Sequence, residues 1–559
     1  MKEFWRRLTS VKRLTWEIVF VSFIINFLGL ASSVYSIQVL NRYLALGIDS
    51  TLITLTIGVV LALILELITR SSRLKIVQWI CLRADKKLSD ITYKLISSSR
   101  YSAIESLPIE NRKEALNGLN TIQMTYGAQN LISIVDGPFS LLFLYIIFML
   151  NPNIAFAITI LMLLIILLSL IIYSNSDEPS KQLTNSTLSW SSEQSIISSN
   201  TELIRTFNVE NILRDKWNRS LVDVLKLRKI VVYIQSLGTS LTYSATAIQT
   251  ILIYSIGAIE VMKGNLDVGS LIGISILASR SMGNITKILQ LVEPIKRGER
   301  ALESISLLSK LSRTDNKKMM LSNWNGDLSF EDFAFAYNGQ AIPIIESFNL
   351  DIKKGQIICI SGFNGAGKTT FAKLLCGLMD PTRGRIKIDG MDLRQADPTW
   401  WREKIMYLPQ EATFFNGTIH ENITLGNEKF DDEFLIKTCF DVGLNEFLDN
   451  TKEGLYTTIT NNGQSLPLGI KRRIALVRAL LNNAPLVIFD EPTESLDVKG
   501  VKSIASILSK LVKEGKTIFI MTNEDFIIKA ADLIVDLNKK PKAEIINNSK
   551  MITPRNKKC

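Results

Sequence analysis

Six apolar runs dominate the first 300 positions of this chain, at 16–36, 51–69, 131–150, 154–174, 241–261 and 268–291. Each is about as long as the roughly 20 residues a helix needs to cross some 30 Å of hydrocarbon. No water is available at that depth to satisfy backbone N–H and C=O groups, so each run must close its own hydrogen bonds as a helix. The short basic opening, MKEFWRRLTSVKRL, leads into the first run without a small-residue cleavage site, and it is read as the flank of a first span and not as a removed signal.

The flanking charges orient these spans. Lys2, Arg6, Arg7, Lys12 and Arg13 precede the first, and the long segments 70–130 and 175–240 are rich in Lys and Arg, whereas the three short connections carry only Arg42 and Lys263. By the positive-inside rule the short connections lie outside and both chain ends are cytoplasmic. The long inner segments have helical periodicity and are expected to carry spans two to five well beyond the bilayer, with short helices near 110–114 and 209–217 touching the second half of the chain. Of the ionisable residues inside spans, Asp136 and Arg280 are singled out, and they are expected to pair, since a lone charge at that depth costs about 2.5–3.5 kcal/mol.

Beyond a polar linker at 312–318 the composition turns to that of a soluble α/β protein, and at 559 residues the chain is too long for one core. Here the stretch 355–370, GQIICISGFNGAGKTT, runs from an apolar strand into a glycine-rich turn ending in Gly-Lys-Thr-Thr. Gly362, Gly365 and Gly367 let successive N–H groups point inward at phosphate oxygens. Lys368 then reaches the β- and γ-phosphates, Thr369 offers its hydroxyl to Mg²⁺, and the positive end of the following helix faces the anion. Downstream, LVIFDEPTESLD ends a buried strand in Asp490 and Glu491, one carboxylate to hold Mg²⁺ and one to polarise an attacking water. Gln410 is a candidate sensor of metal and γ-phosphate, and Tyr337, upstream of the loop, is a candidate to stack on adenine, although a Tyr at a strand end is more often core.

The formal charge of +11 is concentrated beside the spans and in the last twenty residues, so membrane orientation accounts for it better than nucleic acid does. The five cysteines, Cys81, Cys359, Cys376, Cys439 and Cys559, form no metal-ligand spacing and no disulfide is expected. With His420 the only histidine, no His-based metal site or Ser-His catalytic arrangement can be built without it.

Together these motifs resemble the ATP-binding cassette (ABC) exporters. The resemblance implies a multi-domain membrane protein in which a six-helix all-α transmembrane domain at 16–311, after a basic N-terminus at 1–15, precedes an α/β P-loop nucleotide-binding domain at 319–538. A basic tail at 539–559 follows and is expected to be disordered. It implies ATP and Mg²⁺ as cofactors, with nucleotide contacts from Tyr337, Gly362, Asn364, Gly365, Ala366, Gly367, Lys368, Thr369 and Thr370, and metal contacts from Thr369, Gln410 and Asp490. Glu491 and Gln410 are the implied catalytic pair, with Asn523 at the position of the family's switch histidine and Asp497 closing the D-loop. Half-transporters of this kind work as dimers around two ATP molecules. Within the superfamily, SSVYSIQVLNRYL, RADKKLSD, VDGPFSLLFL and GNLDVGSLIGISILASR look most like type I secretion ATPases. That likeness implies a protein cargo, a periplasmic adaptor and an outer-membrane channel in a bacterial inner membrane, and no N-terminal peptidase-like domain.

Two departures qualify it. The family's LSGGQ signature, whose helix N-terminus serves the partner's ATP, is here Leu466-Pro467-Leu468-Gly469-Ile470, so only Leu466 and Gly469 remain as implied nucleotide contacts. Asn523 can hydrogen-bond a phosphate oxygen but cannot share a positive charge with it. The expected function is ATP-driven export of a protein or peptide. Alternatives are a hydrolysis-impaired nucleotide-binding half of a heterodimer, and an exporter of lipid or small molecules.

Overall fold

The computed structural model describes residues 2–44, 47, 49–311, 319–320, 324–337, 339, 342–427, 430–540 and 542–548; the linker at 312–318 and the tail's end from 549, with Cys559, lie outside them, whereas Glu544–Asn547 of the tail expected to be disordered at 539–559 form a strand. The chain forms two compact units, Met1–Ser98 with Glu105–Leu311, and Ser99–Ile104 with Ser312–Cys559.

The first unit is all helix. Its principal elements are α1 (Lys2–Thr9), α2 (Lys12–Leu28), α3 (Ala31–Gln38), α4 (Asp49–Ser98), α5 (Ile109–Thr125), α6 (Ala128–Asp136), α7 (Phe139–Leu150), α8 (Pro152–Ser174), α9 (Asp177–Ser199), α10 (Glu210–Met262), α11 (Val268–Gln290) and α12 (Val292–Lys310). Local chemistry marks several boundaries. Asn151 accepts the Ile154 N–H at 3.1 Å ahead of Pro152, a capped helix start, and Gly137-Pro138 interrupts the third apolar run between α6 and α7. Among the described residues five helical runs are long and apolar enough to cross a membrane: Lys12–Tyr43, Asp49–Ser98, Ala128–Leu150, Pro152–Ser199 and Glu210–Met262. The sixth expected span, α11, is a helix of 23 residues rich in Gly and Ser. Its small residues permit close approach: a Cβ on Gly269 would lie 2.4 Å from Asn41 Oδ1, and one on Gly273 2.6 Å from Ile37 Cδ1. α11 gives up apolar bulk because it is packed among other helices, whereas α4 turns Leu61, Leu63, Ile64 and Leu67 outward.

The 50 residues of α4 and 53 of α10 make helices far longer than a bilayer requires, so both project beyond it. Positions 110–114 and 209–217 are not separate short helices; they fall at the starts of α5 and α10, and the short helices stand about nine residues earlier, at Tyr101–Glu105 and Thr201–Thr206. The segment Ser99–Ile104 belongs to the second unit. There Arg100 Nη1 donates to Asp380 Oδ2 at 2.7 Å, and Lys373 Nζ donates to the Tyr101 hydroxyl at 3.2 Å.

The second unit is built on two larger sheets, with a small antiparallel pair of β7 (Gly417–Thr418) and β8 (Thr458–Ile459) beside them. One has six strands in the order β12-β11-β3-β10-β9-β6, formed by β3 (Ile357–Ser361), β6 (Ile405–Leu408), β9 (Leu486–Asp490), β10 (Thr517–Met521), β11 (Leu533–Asp536) and β12 (Glu544–Asn547). All neighbours pair in parallel except β12, which runs antiparallel at the edge. The second sheet is antiparallel, ordered β2-β1-β4-β5 from β1 (Leu328–Phe335), β2 (Ile345–Ile352), β4 (Arg383–Ile388) and β5 (Met391–Asp392). Between them Phe330, Phe333, Phe348 and Phe371 form an aromatic core with ring centroids 5.3–6.2 Å apart. β9 and β10 are buried along their whole lengths, which fits continuous apolar runs such as LVIF and TIFIM in the middle of a parallel sheet. Cys81, Cys359, Cys376 and Cys439 are free and buried.

The membrane charges do not pair as the sequence suggested. Asp136 takes Arg73 instead, through a bidentate contact at 2.5 and 3.1 Å, while Arg73 also donates to Ser22 Oγ at 2.8 Å. Arg280 lies 3.7 Å from Glu66, which also accepts from Arg70 at 2.9 and 2.5 Å. Arg73 sits one helical turn past the assigned end of the second span, and Glu66, inside that span, is a buried acid that the sequence reading passed over. Burying one charge alone is costly, whereas replacing a buried pair by apolar groups is often nearly neutral. Asp136→Leu alone should therefore destabilise the protein by about 3–5 kcal/mol, and R73M/D136L by much less. Thermal unfolding in detergent reads this; a double variant no more stable than the single one would remove the pairing.

Candidate functional site

β3 ends at Ser361, and the chain turns through 362–367 into α13 (Lys368–Leu375). Glycine is obligatory at Gly367, whose φ is +109° and where a Cβ would lie 2.2 Å from Ile344 Cγ2. The turn opens a cleft of about 730 Å³. Tyr337, Asn364, Gly365, Gly367, Lys368, Thr369, Thr370, Gln410, Glu491 and Asn523 line it, so most of the residues singled out from sequence meet in one place. Gly362 and Ala366 are buried beneath it. The Tyr337 hydroxyl lies 3.0 Å from Thr370 Oγ1, leaving its ring at the rim.

Lys368 is buried, and its ammonium donates to the Gly362 carbonyl at 2.7 Å and lies 3.1 Å from Glu491 Oε1. The lysine and the carboxylate thus neutralise each other across the cleft. Glu491 has φ +47°, a left-handed conformation uncommon outside glycine, anchored by its N–H donating to Met521 O at 2.9 Å. Thr369 Oγ1 donates to Gln410 Oε1 at 3.1 Å, and Gln410 Nε2 donates to Glu494 Oε2 at 3.3 Å. Glu494, unmarked in the sequence reading, therefore fixes which way the Gln410 amide faces.

Asp490 is fully buried at the end of β9, and neither carboxylate oxygen has a hydrogen-bond partner. Burial raises its pKa above the usual carboxylate value. An orphaned carboxylate beside a threonine hydroxyl and an amide oxygen is a set of hard oxygen donors, which suits a small divalent cation of the Mg²⁺ type completed by phosphate oxygens and water. No group of three or more His, Cys, Asp or Glu among the described residues forms a metal cage by itself. Cys359, on β3 under the loop, is no nucleophile, because burial pushes its thiol up to about 12.

Leu466, Gly469 and Asp497 lie outside this cleft. Pro467 and Leu468 are exposed at the start of α14 (Leu468–Leu481), and the Asp497 side chain caps α15 (Val498–Lys513) by accepting the Gly500 N–H at 2.9 Å while pairing with Arg473 at 2.8 Å.

Two family profiles match the chain: residues 15–284 match the ABC transporter transmembrane region, and 345–494 match the ABC transporter. The chain is 26% identical over 545 residues to the Leukotoxin translocation ATP-binding protein LktB of Mannheimia glucosida, covering 96% of this chain and 76% of that one. It is also 26% identical over 542 residues to the Alpha-hemolysin translocation ATP-binding protein HlyB of Escherichia coli, covering 94% and 75%. A solved structure of a bacterial Atm1-family ABC exporter with ATP bound shares the fold with a TM-score of 0.84 and 19% identity, covering 97% of this chain and 96% of that chain.

One residue beneath the cleft escaped the sequence reading. Arg472, on α14, is buried, and its guanidinium donates to the carbonyls of Pro409, Gln410, Asp490 and Glu491, tying three elements together. Burial pulls its pKa below the ordinary arginine value. In the sequence it is one of three consecutive basic residues on a helix, and nothing in their spacing distinguishes the inward one. Arg472→Met leaves several acceptors unsatisfied and should cost about 3 kcal/mol, a drop of roughly 6–12 °C in the unfolding midpoint of this unit. Arg473→Met, which loses only a pair with the largely exposed Asp497, should cost less than about 1 kcal/mol. Differential scanning calorimetry distinguishes the two; equal shifts would deny Arg472 this role.

Proposed function

We propose that this chain, a member of the ABC transporter family, is an ATP-hydrolysing half-transporter that exports a protein or peptide across a bacterial inner membrane. The observation that carries the reading is the meeting of Lys368, Gln410 and Glu491 in one cleft, with Asp490 buried next to Glu491 at the end of β9. It is joined by similarity over nearly the whole chain to proteins named for toxin translocation. The chain is a multi-pass membrane protein whose nucleotide-binding unit takes ATP. Placing that unit and the N-terminus on the cytoplasmic side follows from the charge bias around the spans.

In this reading the phosphates of ATP lie on the 362–369 turn and the start of α13, where backbone N–H groups and the helix end favour negative charge. Lys368 leaves Glu491 for the phosphates, which frees the Glu491 carboxylate to accept a proton from the attacking water. Thr369, Gln410 and Asp490 would hold Mg²⁺, which supplies charge neutralisation at the phosphates. Hydrolysis draws on a second half-transporter, whose signature helix covers the same ATP. A periplasmic adaptor and an outer-membrane channel complete the export path.

A second reading has its own support. Pro467 brings neither hydroxyl nor N–H to the signature helix, and Leu468 presents an exposed side chain where the backbone should approach phosphate. A chain with this defect fits the nucleotide-binding half of an asymmetric pair. ATP turnover by the purified protein in lipid separates the two. The leading reading expects Mg²⁺-dependent turnover that falls about 10²- to 10⁴-fold in Glu491→Gln, the range for loss of a general base. ATP binding with no turnover above the Glu491→Gln background would replace it by the asymmetric pair.

A further inference from the structure

The parallel ladder around β3 does not stop where its strands stop. On one side the Thr522 N–H donates to Ile360 O at 3.1 Å, and on the other the Leu537 N–H donates to Ser361 O at 2.9 Å, the last main-chain rungs before the phosphate loop. The next rungs are made by two asparagine side chains, each one residue further along. Asn523 Oδ1 accepts the Gly362 N–H at 3.0 Å, and its Nδ2 donates back to Gly362 O at 2.9 Å. From the other flank Asn538 Oδ1 accepts the Phe363 N–H at 2.7 Å.

Because β3 lies between β10 and β11, the first two peptides of the loop are gripped from both sides. We propose that Asn523 and Asn538 are positioning residues that hold the phosphate loop preformed before nucleotide arrives, and that Asn523 is thereby committed to the loop backbone instead of to the terminal phosphate. The inference rests on the reading of the cleft as an ATP site.

The chemistry selects asparagine. Its amide carries an acceptor and a donor on one short planar group, so it can close both hydrogen bonds to a single residue, on the two peptides that flank its Cα, as a neighbouring strand would. A histidine has its two ring nitrogens on separate edges and cannot do so. Gly362 O also accepts Lys368 Nζ at 2.7 Å, so the clamp fixes the carbonyl that holds the lysine. A loop already in its bound shape loses less conformational freedom on binding, and affinity rises accordingly.

The test uses the full chain in lipid nanodiscs, with trinitrophenyl-ATP as the binding probe. Steady-state ATP turnover and hydrogen exchange of the Gly362 and Phe363 amides are read on the same samples. Asn523→Ala should weaken probe binding roughly three- to tenfold, corresponding to about 0.7–1.4 kcal/mol of lost hydrogen bonding, and speed exchange at both amides. Asn523→Gln, which keeps the amide on a longer stem, should recover part of the loss. Asn523→His should resemble Asn523→Ala, with the change falling on KM and no rise in kcat. A switch-histidine position predicts the reverse, and a raised kcat with unchanged affinity in Asn523→His would overturn the clamp. So would unchanged binding and exchange in Asn523→Ala. Should Asn523→Ala fold poorly, Asn538→Ala carries the same expectation for Phe363 exchange. Probe binding without turnover in the unsubstituted protein would remove the hydrolysis reading and leave the clamp to be judged on affinity and exchange. Failure of that protein to bind the probe would overturn both.

Discussion

Backbone taken out of water must find every hydrogen bond inside the chain, and both units are arranged around that requirement. In the first it makes the apolar runs helical and gives them their length. In the second it is met by a parallel sheet whose central strand, β3, has neighbours on both flanks. The same requirement acts at the one place where the sheet has to stop. In the loop at 362–367 the first peptides bond to side chains from the adjoining strand ends, and the Ala366 N–H turns back to the Phe363 carbonyl.

Buried charge follows a parallel rule with a different outcome in each unit. In the first, Glu66 with Arg70 and Arg280, and Asp136 with Arg73, compensate each other within the helical bundle. Arg7 does likewise near the chain start, buried against Asp85, Glu3 and the Tyr126 carbonyl. In the second unit Arg472 is compensated by carbonyl dipoles, and Lys368 by Glu491, whereas Asp490 is left without a partner. Burial of that carboxylate is costly, and the Thr369 hydroxyl and the charges of Arg472 and Lys368 act against the cost.

Much of this was legible in the linear sequence because the relevant physics is local. A run of about twenty apolar residues specifies a membrane helix whatever surrounds it. The stretch from Ile357 to Thr370 specifies strand, turn and helix by its own apolar run and glycines, and Asp490-Glu491 announces itself by following LVIF. The interrupted signature and the asparagine at 523 were also plain, since a departure from a pattern is a property of sequence.

Only the tertiary structure decided who meets whom. Asp136 and Arg280 looked like partners by depth, yet depth does not fix rotation about a helix axis, and the bundle turned Asp136 to Arg73 and Arg280 to Glu66. The short helices stand about nine residues from their expected places because polar breaks mark where a helix can end, not where packing ends it. Arg472 and Asn538 were invisible as functional residues, since an arginine among basic residues and an asparagine after a strand are ordinary until three-dimensional neighbours give them acceptors and donors. Sequence by itself determined the elements and the chemistry carried on them, because backbone preference and hydrophobic period act over a few residues. Folding alone decided the pairings, because they depend on the rotation and stacking of elements far apart in the chain.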